Sequence, residues 1–299
     1  MRSVKKGNFC MLKLLIISLG LCYFLEGAQC YDEPLSSQEW SFFGPLCQHY
    51  VAGRREKPES VYEILKTYVK PDAAILDLGS GTGISTRQLW RNGFKNVIGA
   101  DRDSLMIREA QAANQANCTL KYIHADVANG LPFPNEEFDV VTAASAFHWF
   151  SNPSSIREVA RILKPEGFYY VIGAREKKVL PKNTEVIKTN IRQILHEAGV
   201  PPRPNKHAMS TAVALEAQGF KIIVDTLLPY AYEFTKQEYL ERIQSQCSWN
   251  LVKESQRAPI LKKIDSYLDT VLNCQGKIKQ EGMLSVVLAQ KPAKTHKAQ

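Results

Sequence analysis

The residues of this chain best placed to do chemistry begin where the apolar run Ile75-Leu76-Asp77-Leu78 breaks into Gly79-Ser80-Gly81-Thr82-Gly83 and continues as a helical segment from Ile84 to Asn92. A strand, a loop nearly without side chains and a helix N-terminus together make a cradle in which backbone N–H groups and the positive end of the helix dipole face a ligand. The dinucleotide fingerprint G-x-G-x-x-G needs a third glycine where this chain has Ile84, so that fingerprint fails. Taken alone, the cluster would equally suit a tight turn in any α/β domain. A second apolar run, Val97 to Asp101, ends in a carboxylate eighteen residues after Gly83. At the end of the second strand of a βαβ unit, Asp101 would lie beside the glycine loop and accept from both hydroxyls of a ribose. The next helix can take its N-cap from Asp103 and Ser104, which leaves Asp101 free for a ligand. Further on, Phe147-His148-Trp149-Phe150 follows a fourth apolar run, at the rim where open α/β sheets bind ligands. His148 suits a general base or a hydrogen-bond donor to a substrate oxygen, whereas Trp149 and Phe150 suit a pocket wall.

These positions require an alternation of strands and helices. Strands are expected at Leu120 to Asp126, Phe138 to Ala144 and Phe168 to Gly173, the last introduced by the turn Lys164-Pro165-Glu166-Gly167. A helix follows over Thr184 to Ala198, with Ile187, Ile191, Ile194 and Leu195 on one face, stopped by Gly199, Pro201 and Pro202. A sixth strand spans Gly219 to Leu228, two helices span Lys236 to Ser245 and Glu254 to Leu272, and a last strand spans Met283 to Gln290. The pattern predicts an α/β fold, a Rossmann-like doubly wound and mostly parallel seven-stranded sheet with helices on both faces. The helical segments at roughly 180–218 and 236–273 would form a cap over the pocket.

The motifs Asp77-Leu-Gly-Ser-Gly-Thr-Gly83, Gly99-Ala-Asp101 with Met106, Ala125-Asp126, Leu131-Pro-Phe with Phe138-Asp139, and Leu163-Lys-Pro-x-Gly167 come in an order that resembles class I S-adenosylmethionine-dependent methyltransferases of the type 11 small-molecule branch. Ala144-Ser-Ala-Phe-His-Trp149 and Tyr50-x-x-x-Arg54-x-x-x-Pro58 resemble the trans-aconitate methyltransferase-like subgroup. The resemblance covers residues 40–292. It implies S-adenosylmethionine as cofactor, a small-molecule acceptor, and O-methylation of a carboxylate as the leading reaction. Amine or phenol acceptors are alternatives, as is a binding protein that kept the fold and lost turnover. In this reading Asp77 braces the glycine loop and reaches the cofactor's ammonium group, and Gly79, Ser80, Gly81 and Gly83 let its methionine part lie on bare backbone. Asp101 takes the ribose hydroxyls, while Arg102 and Met106 flank the adenine. Asp126 accepts from the adenine amino group, Val127 offers its N–H, Ala144 lines the pocket, and Tyr50 and Arg54 close over the cofactor's carboxylate.

Of the 299 residues, 44% are hydrophobic and 23% charged, the balance of one ordinary globular domain. The net charge is +8, of which Arg2, Lys5, Lys6 and Lys13 against Glu26 account for +3. No basic stripe interleaved with aromatics accompanies the remainder, so no nucleic-acid partner is expected, and Lys177-Lys178 and Lys262-Lys263 read as solvated. Residues 1–30 read as a signal peptide or signal anchor, with a basic start, the apolar stretch Leu14 to Leu25 and a poorly defined cleavage site. Cleavage would place the protein in the secretory pathway or outside the cell. An uncleaved leader would tether it to a membrane, and a start at Met11 or later would leave it cytoplasmic. No C-x-x-C spacing occurs among the seven cysteines, so no metal site is expected; Cys247 with Cys274 would pair only in an oxidising compartment. Residues 293–299 are a polar tail.

Overall fold

A computed structural model describes residues 43–114, 120–175, 181–201 and 210–293. The expected leader, the sequon Asn117-Cys118-Thr119, Lys177-Lys178 and most of the proline-rich loop and tail lie outside those residues.

Seven strands form one sheet in the order β3-β2-β1-β4-β5-β7-β6. They are β1 (Ala74–Leu78), β2 (Asn96–Asp101), β3 (Lys121–His124), β4 (Phe138–Ala144), β5 (Leu163–Arg175), β6 (Lys221–Phe234) and β7 (Ile278–Gln290). The first five run parallel, and β7 is antiparallel to both β5 and β6. Chain direction reverses its progress across the sheet between β1 and β4, which is where open α/β sheets leave a crevice at the strands' C-terminal ends. The expected fold class is therefore the observed one.

Alternation along each strand splits the core in two. Ile75, Val140, Tyr170 and Val286 point to one face with Tyr62, Leu65 and Leu89; their neighbours Leu76, Val141, Tyr169 and Val287 point to the other with Ile156, Val159 and Leu215. The first face is covered by α2 (Ser60–Tyr68), by α3 (Ile84–Arg91) and by α4 (Ser104–Ala112). The second is covered by α5 (Pro153–Ile162) and α7 (Thr211–Glu216). Helix starts follow local chemistry: Asp103 accepts from the N–H groups of Leu105 and Met106, Asn152 accepts from Ser155 ahead of Pro153, and Thr235 with Glu238 forms a capping box.

A third core, away from the sheet, joins α1 (Cys47–Gly53) through Leu46 to α6 (Lys182–Glu197), α8 (Lys236–Gln244) and α9 (Glu254–Asp269). Ile187, Ile191 and Leu195 meet Phe234, Tyr239, Ile243, Trp249, Ile260, Ile264 and Leu268 there. Within the segment expected as cap, α7 packs instead on the sheet through Ala212 and Leu215. Strand β6 outruns its expected end at Leu228 and continues through Pro229 to Phe234. It is an edge strand, so a proline without an N–H costs it no ladder bond on the open side. The four residues 164–167 bulge out between the Phe138–Leu163 and Val140–Phe168 pairs, so the expected turn lies inside β5. Cys47 and Cys274 are free thiols, and Lys262 and Lys263 are exposed as expected.

Candidate functional site

The glycine loop sits at the C-terminal end of β1, in the crevice between β2 and β4, and Gly79, Gly81 and Gly83 all have positive φ. At Gly79 a Cβ would collide with that of Ala146, and at Gly83 with the Tyr122 hydroxyl. At Gly81 the nearest atoms to a Cβ are those of the Tyr50 ring, 3.9 Å away. Two glycines are thus required by the protein's own packing, whereas a Cβ at Gly81 would meet only the Tyr50 ring, at van der Waals distance.

The sequence suggests that the loop turns its backbone N–H groups toward a ligand, and the structure corrects this. Gly79 and Ser80 both donate to Ala100 O, at 2.8 and 3.0 Å, Gly83 donates to Ser80 O at 2.9 Å, and Gly81 donates to Asp101 Oδ2 at 2.8 Å. With those four donors spent on β2 and on the loop itself, the loop presents mostly bare Cα surface. Asp101 is not free either. Its other oxygen, Oδ1, accepts from the N–H of Asp103 at 2.9 Å, because the chain turns back over the strand end before Asp103 can cap α4. Burial raises the Asp101 pKa while those two N–H groups hold it down.

Asp77 is only 1% exposed and is held by two hydroxyls, Thr86 Oγ1 and Thr142 Oγ1, each at 2.7 Å. It therefore ties β1 to α3 and to β4 across the crevice. Burial pushes its carboxyl up to about 6 against the pull of those two bonds. Neither threonine was expected from the sequence, since Thr86 sits among polar residues of a helix and Thr142 within an apolar strand, and neither setting gives a signal.

The adenine-side candidates lie along the edge formed by β2 and β3. Met106 is buried on α4, and the Arg102 carbonyl accepts from His124 Nε2 at 2.8 Å. Asp126 spends Oδ1 as the cap of a short 3-10 turn, Val127–Asn129, accepting from Ala128 N–H at 3.0 Å, and Val127 is buried. Ala144 ends β4, half-buried.

The outer wall is aromatic and basic. Tyr50, on α1, covers Gly81; Phe43 meets Tyr50 edge-on at 6.0 Å and Trp149 edge-on at 5.6 Å. Trp149 is 41% exposed and lies 4.9 Å from the exposed His148 ring. Arg54 stacks its guanidinium 4.7 Å from the Tyr50 centroid and donates to Ser245 O at 2.8 Å, so it faces the cap from behind Tyr50. Lys57 was missed by sequence reasoning because it sits in the charged run Arg54-Arg55-Glu56-Lys57, which reads as solvated. Its peptide is clamped by the fully buried Gln88: Lys57 N–H donates to Gln88 Oε1 and Gln88 Nε2 donates to Lys57 O, both at 2.9 Å. Its ammonium donates to Ser145 Oγ at 2.8 Å. Ser145 follows β4 in the left-handed region, with φ 59°, where a non-glycine residue stores strain that functional turns often keep.

Two buried hydroxyls of the loop itself, Ser80 Oγ and Thr82 Oγ1, lack a hydrogen-bond partner among the described residues. Unsatisfied hydroxyls and a slot between Gly81 and the Tyr50 ring fit a polar, flexible ligand.

The family profile described as a methyltransferase domain matches residues 76–171. An uncharacterized chloroplastic methyltransferase of Arabidopsis thaliana is 30% identical over 165 residues, 48% of this chain and 46% of that one. The uncharacterized methyltransferase YodH of Bacillus subtilis is 33% identical over 118 residues, 39% of this chain and 49% of that one. The chain thus spans about half the length of the curated relatives it matches. In fold, it is similar to a candidate type II methyltransferase from Anaeromyxobacter dehalogenans, with TM-score 0.57, 18% identity, and coverage of 80% of this chain and 97% of that one. It is also similar to the [4+2]-cyclase SpnF, with TM-score 0.51, 15% identity, and coverage of 86% and 96%.

Proposed function

We propose that this chain, whose residues 76–171 match a methyltransferase-domain profile, is a class I S-adenosylmethionine-dependent methyltransferase that methylates a carboxylate oxygen of a small-molecule acceptor. The observation that carries the reading is the glycine loop: the N–H groups of Gly79, Ser80, Gly81 and Gly83 are consumed, a Cβ at Gly81 would meet only the Tyr50 ring, and the Ser80 and Thr82 hydroxyls are buried without a partner among the described residues. Such a floor suits the methionine and ribose of S-adenosylmethionine, the cofactor this family implies, better than a phosphate. When bound, that cofactor supplies a sulfonium methyl; a carboxylate oxygen forms the C–O bond, the C–S pair returns to sulfur, and no proton moves.

The protein's part is to hold and to exclude. Gly79, Ser80, Gly81 and Gly83 bear the methionine part, Asp101 accepts ribose hydroxyls with its remaining lone pairs, and Asp126 has Oδ2 left for an amino group. Arg102, Met106 and Val127 would flank the adenine, and Ala144, at the end of β4, would line the cofactor pocket. Tyr50 closes the slot, and Phe43 with Trp149 shields it from water, which orientation-driven chemistry requires. Asp77 is the brace beneath. A carboxylate is already ionised at neutral pH, so His148 on the exposed rim has no proton to remove.

Calorimetric titration of the full chain with S-adenosylmethionine, followed by a methyl-transfer screen over carboxylic acids, tests this. Saturable binding and ester formation are expected. An absence of binding would overturn the cofactor assignment, and turnover confined to phenols or amines would overturn the carboxylate.

A further inference from the structure

Two exposed apolar side chains lie at the mouth of the site. Val51, on α1, is 50% exposed and Trp149, after β4, is 41% exposed. Phe43 joins the two segments by meeting both Trp149 and Tyr50 edge-on. Around them Pro45, Gln48 and Ala52 are exposed beside Val51, and Ser151 to Ser154 continue the exposed stretch after Trp149. Steps of three and four residues, from Gln48 to Val51 and Ala52, put those side chains on one face of α1. In a chain that is 23% charged, neither Phe43 to Gly53 nor Ala146 to Ile156 contains Asp, Glu, Lys or Arg. The other exposed large apolar residues lack that setting: Tyr68 stands between Lys66 and Lys70, Val186 between Glu185 and Lys188, Val213 ahead of Glu216 and Leu251 ahead of Lys253.

The ionisable groups nearest this rim are turned inward. Gly44 N–H donates to Asp103 Oδ2 at 2.8 Å, His49 pairs with Glu241, Arg54 donates to Ser245 O and Arg55 pairs with Glu238. Lys57 donates to Ser145 Oγ, and burial, then Arg54, then Arg242 press its ammonium down to about 8. Arg242 lies over the Phe234 ring at 5.5 Å and donates to the buried Gln280. The charge of the wall therefore lies behind the rim. A solvated surface carries interspersed charges of both signs, whereas an uncharged one that presents aromatic rings is built to touch something.

Two features favour a bilayer over a protein as the partner. Trp149 and Phe43 beside Gln48, Ser151 and Asn152 set apolar rings and neutral hydrogen-bonding groups side by side, which suits the boundary between headgroups and acyl chains. Without Lys or Arg, that rim matches zwitterionic rather than anionic lipid. The second feature is the chain ahead of Phe43, which contains the apolar stretch Leu14 to Leu25 and reaches the rim through Trp40-Ser41-Phe42-Phe43. An anchor ending at Leu25 keeps Phe43, and the mouth with it, within about 60 Å of a membrane.

We propose that this rim docks on the headgroup region of a zwitterionic bilayer, and that the acceptor is an amphiphilic monocarboxylic acid taken from that bilayer. The second half rests on the methyl-transfer reading above, and the first does not. Phe43 and Trp149 also wall the slot between Tyr50 and Gly81, so docking turns the mouth of that slot to lipid and away from water. A long-chain acid in a bilayer holds its carboxylate at headgroup level, and its apolar chain need not leave the lipid for the carboxylate oxygen to be methylated.

Hydrogen exchange read by mass spectrometry on the full chain, with and without phosphatidylcholine vesicles, tests the docking. The amides of 43–53 and 146–154 should exchange at least about fivefold more slowly with vesicles, and those of α9 should not change. Brominated acyl chains should quench tryptophan emission, and Trp149→Phe should remove a large part of that loss. Val51→Asp, on the exposed face and outside the slot, should bind S-adenosylmethionine within about twofold of the wild type and lose most of the rim protection. With vesicles present, ester formation should favour palmitate over butyrate by at least about 30-fold, and by about threefold or less in Val51→Asp. Exchange unaffected by vesicles, or quenching unaffected by Trp149→Phe, would overturn the docking, and neither measurement depends on the Val51 variant. Protection of the same amides that grows with protein concentration in the absence of lipid would overturn it too, by making the rim a contact between two copies of this chain. Butyrate turned over as well as palmitate would overturn the acceptor class and leave methyl transfer standing. Rim protection without S-adenosylmethionine binding would overturn methyl transfer and leave the docking standing.

Discussion

On the floor of the site, the bonds that matter join near neighbours in sequence: Thr86 to Asp77 spans nine residues and Gly81 to Asp101 spans twenty. On the outer wall, Lys57 to Ser145 spans 88, Arg54 to Ser245 spans 191 and His49 to Glu241 spans 192. Apart from Thr142 on β4, the floor lies within one βαβ unit, its carboxylates held by backbone N–H groups and threonine hydroxyls while Ser80 Oγ and Thr82 Oγ1 stay unpaired among the described residues. The wall is assembled from the two ends of the described chain and carries uncompensated charge. One half is thus set by local backbone geometry and the other by long-range packing of α1 against α8. There Gly53 leaves so little room that any Cβ would strike the backbone of Glu241 and Arg242.

The contrast can be broken first at Gly81. Gly81→Val should weaken S-adenosylmethionine binding more than about 100-fold, because its side chain fills the slot beneath Tyr50. It should also lower Tm by only about 3–8 °C, the strain of a left-handed β-branched residue. Titration calorimetry and a thermal melt check both halves; global unfolding would mean that the loop, and not the ligand, needs the glycine. Next, Asp101→Ala should weaken cofactor binding by about 1.5–3 kcal/mol, since it removes an acceptor from the ribose and releases the Gly81 N–H together. An unchanged dissociation constant would remove Asp101 from the site.

Asp77 sharpens the comparison through pH. Its folded pKa, about 6, lies above the ordinary 3.8, so the folded state holds the proton more tightly and the stability this lends is present at low pH and lost as pH rises from about 4 through 6. Asp77→Asn does not titrate. Its stability relative to wild type should therefore rise across that window, by at most about 3 kcal/mol, and stay level above pH 7. Denaturant melts at about pH 4, 5 and 6, with one on the plateau at about 7.5, measure it; a constant difference would show that Asp77 keeps an ordinary pKa. The smallest effect belongs to His148. His148→Ala should change kcat by less than about threefold on a carboxylate acceptor, with no lost ionisation in the pH–rate profile, because no proton is transferred. A fall of about 100-fold or more would assign it as a base and the acceptor as a phenol or amine.

The floor was legible because its signals are local. Three glycines at fixed spacing, an Asp at the end of each of the first two strands and alternating apolar runs specify strand, turn and helix without reference to the rest of the chain. What the sequence could not show there is where hydrogen bonds go: the spent N–H groups of Gly79 and Ser80 and the engaged oxygens of Asp101 follow from how closely β2 approaches the loop. The wall was legible only as residue types. Tyr50 and Arg54 were found by resemblance, but nothing in the run around Lys57 indicates that Gln88 holds it or that Ser145 meets it. Arg242, on a polar helix, resembles any solvated arginine until Phe234 and Gln280 surround it. Strand β6 ran past its expected end because Pro229 signals a break to a reader who does not know that the strand lies at the edge.

The placement of β7 has a consequence for how the molecule is made. This strand lies between β5 and β6, and β6 touches the sheet only through it. As the chain leaves the ribosome, the first five strands can close around their helices while β5 still presents a bare edge and the 14 residues of β6 have nothing to pair with. Only the arrival of Ile278–Gln290 seals both, and the same event brings Gln280 to Arg242. The nascent protein therefore passes through an interval in which its cofactor floor can form while its acceptor wall cannot, with an open strand edge exposed to other chains.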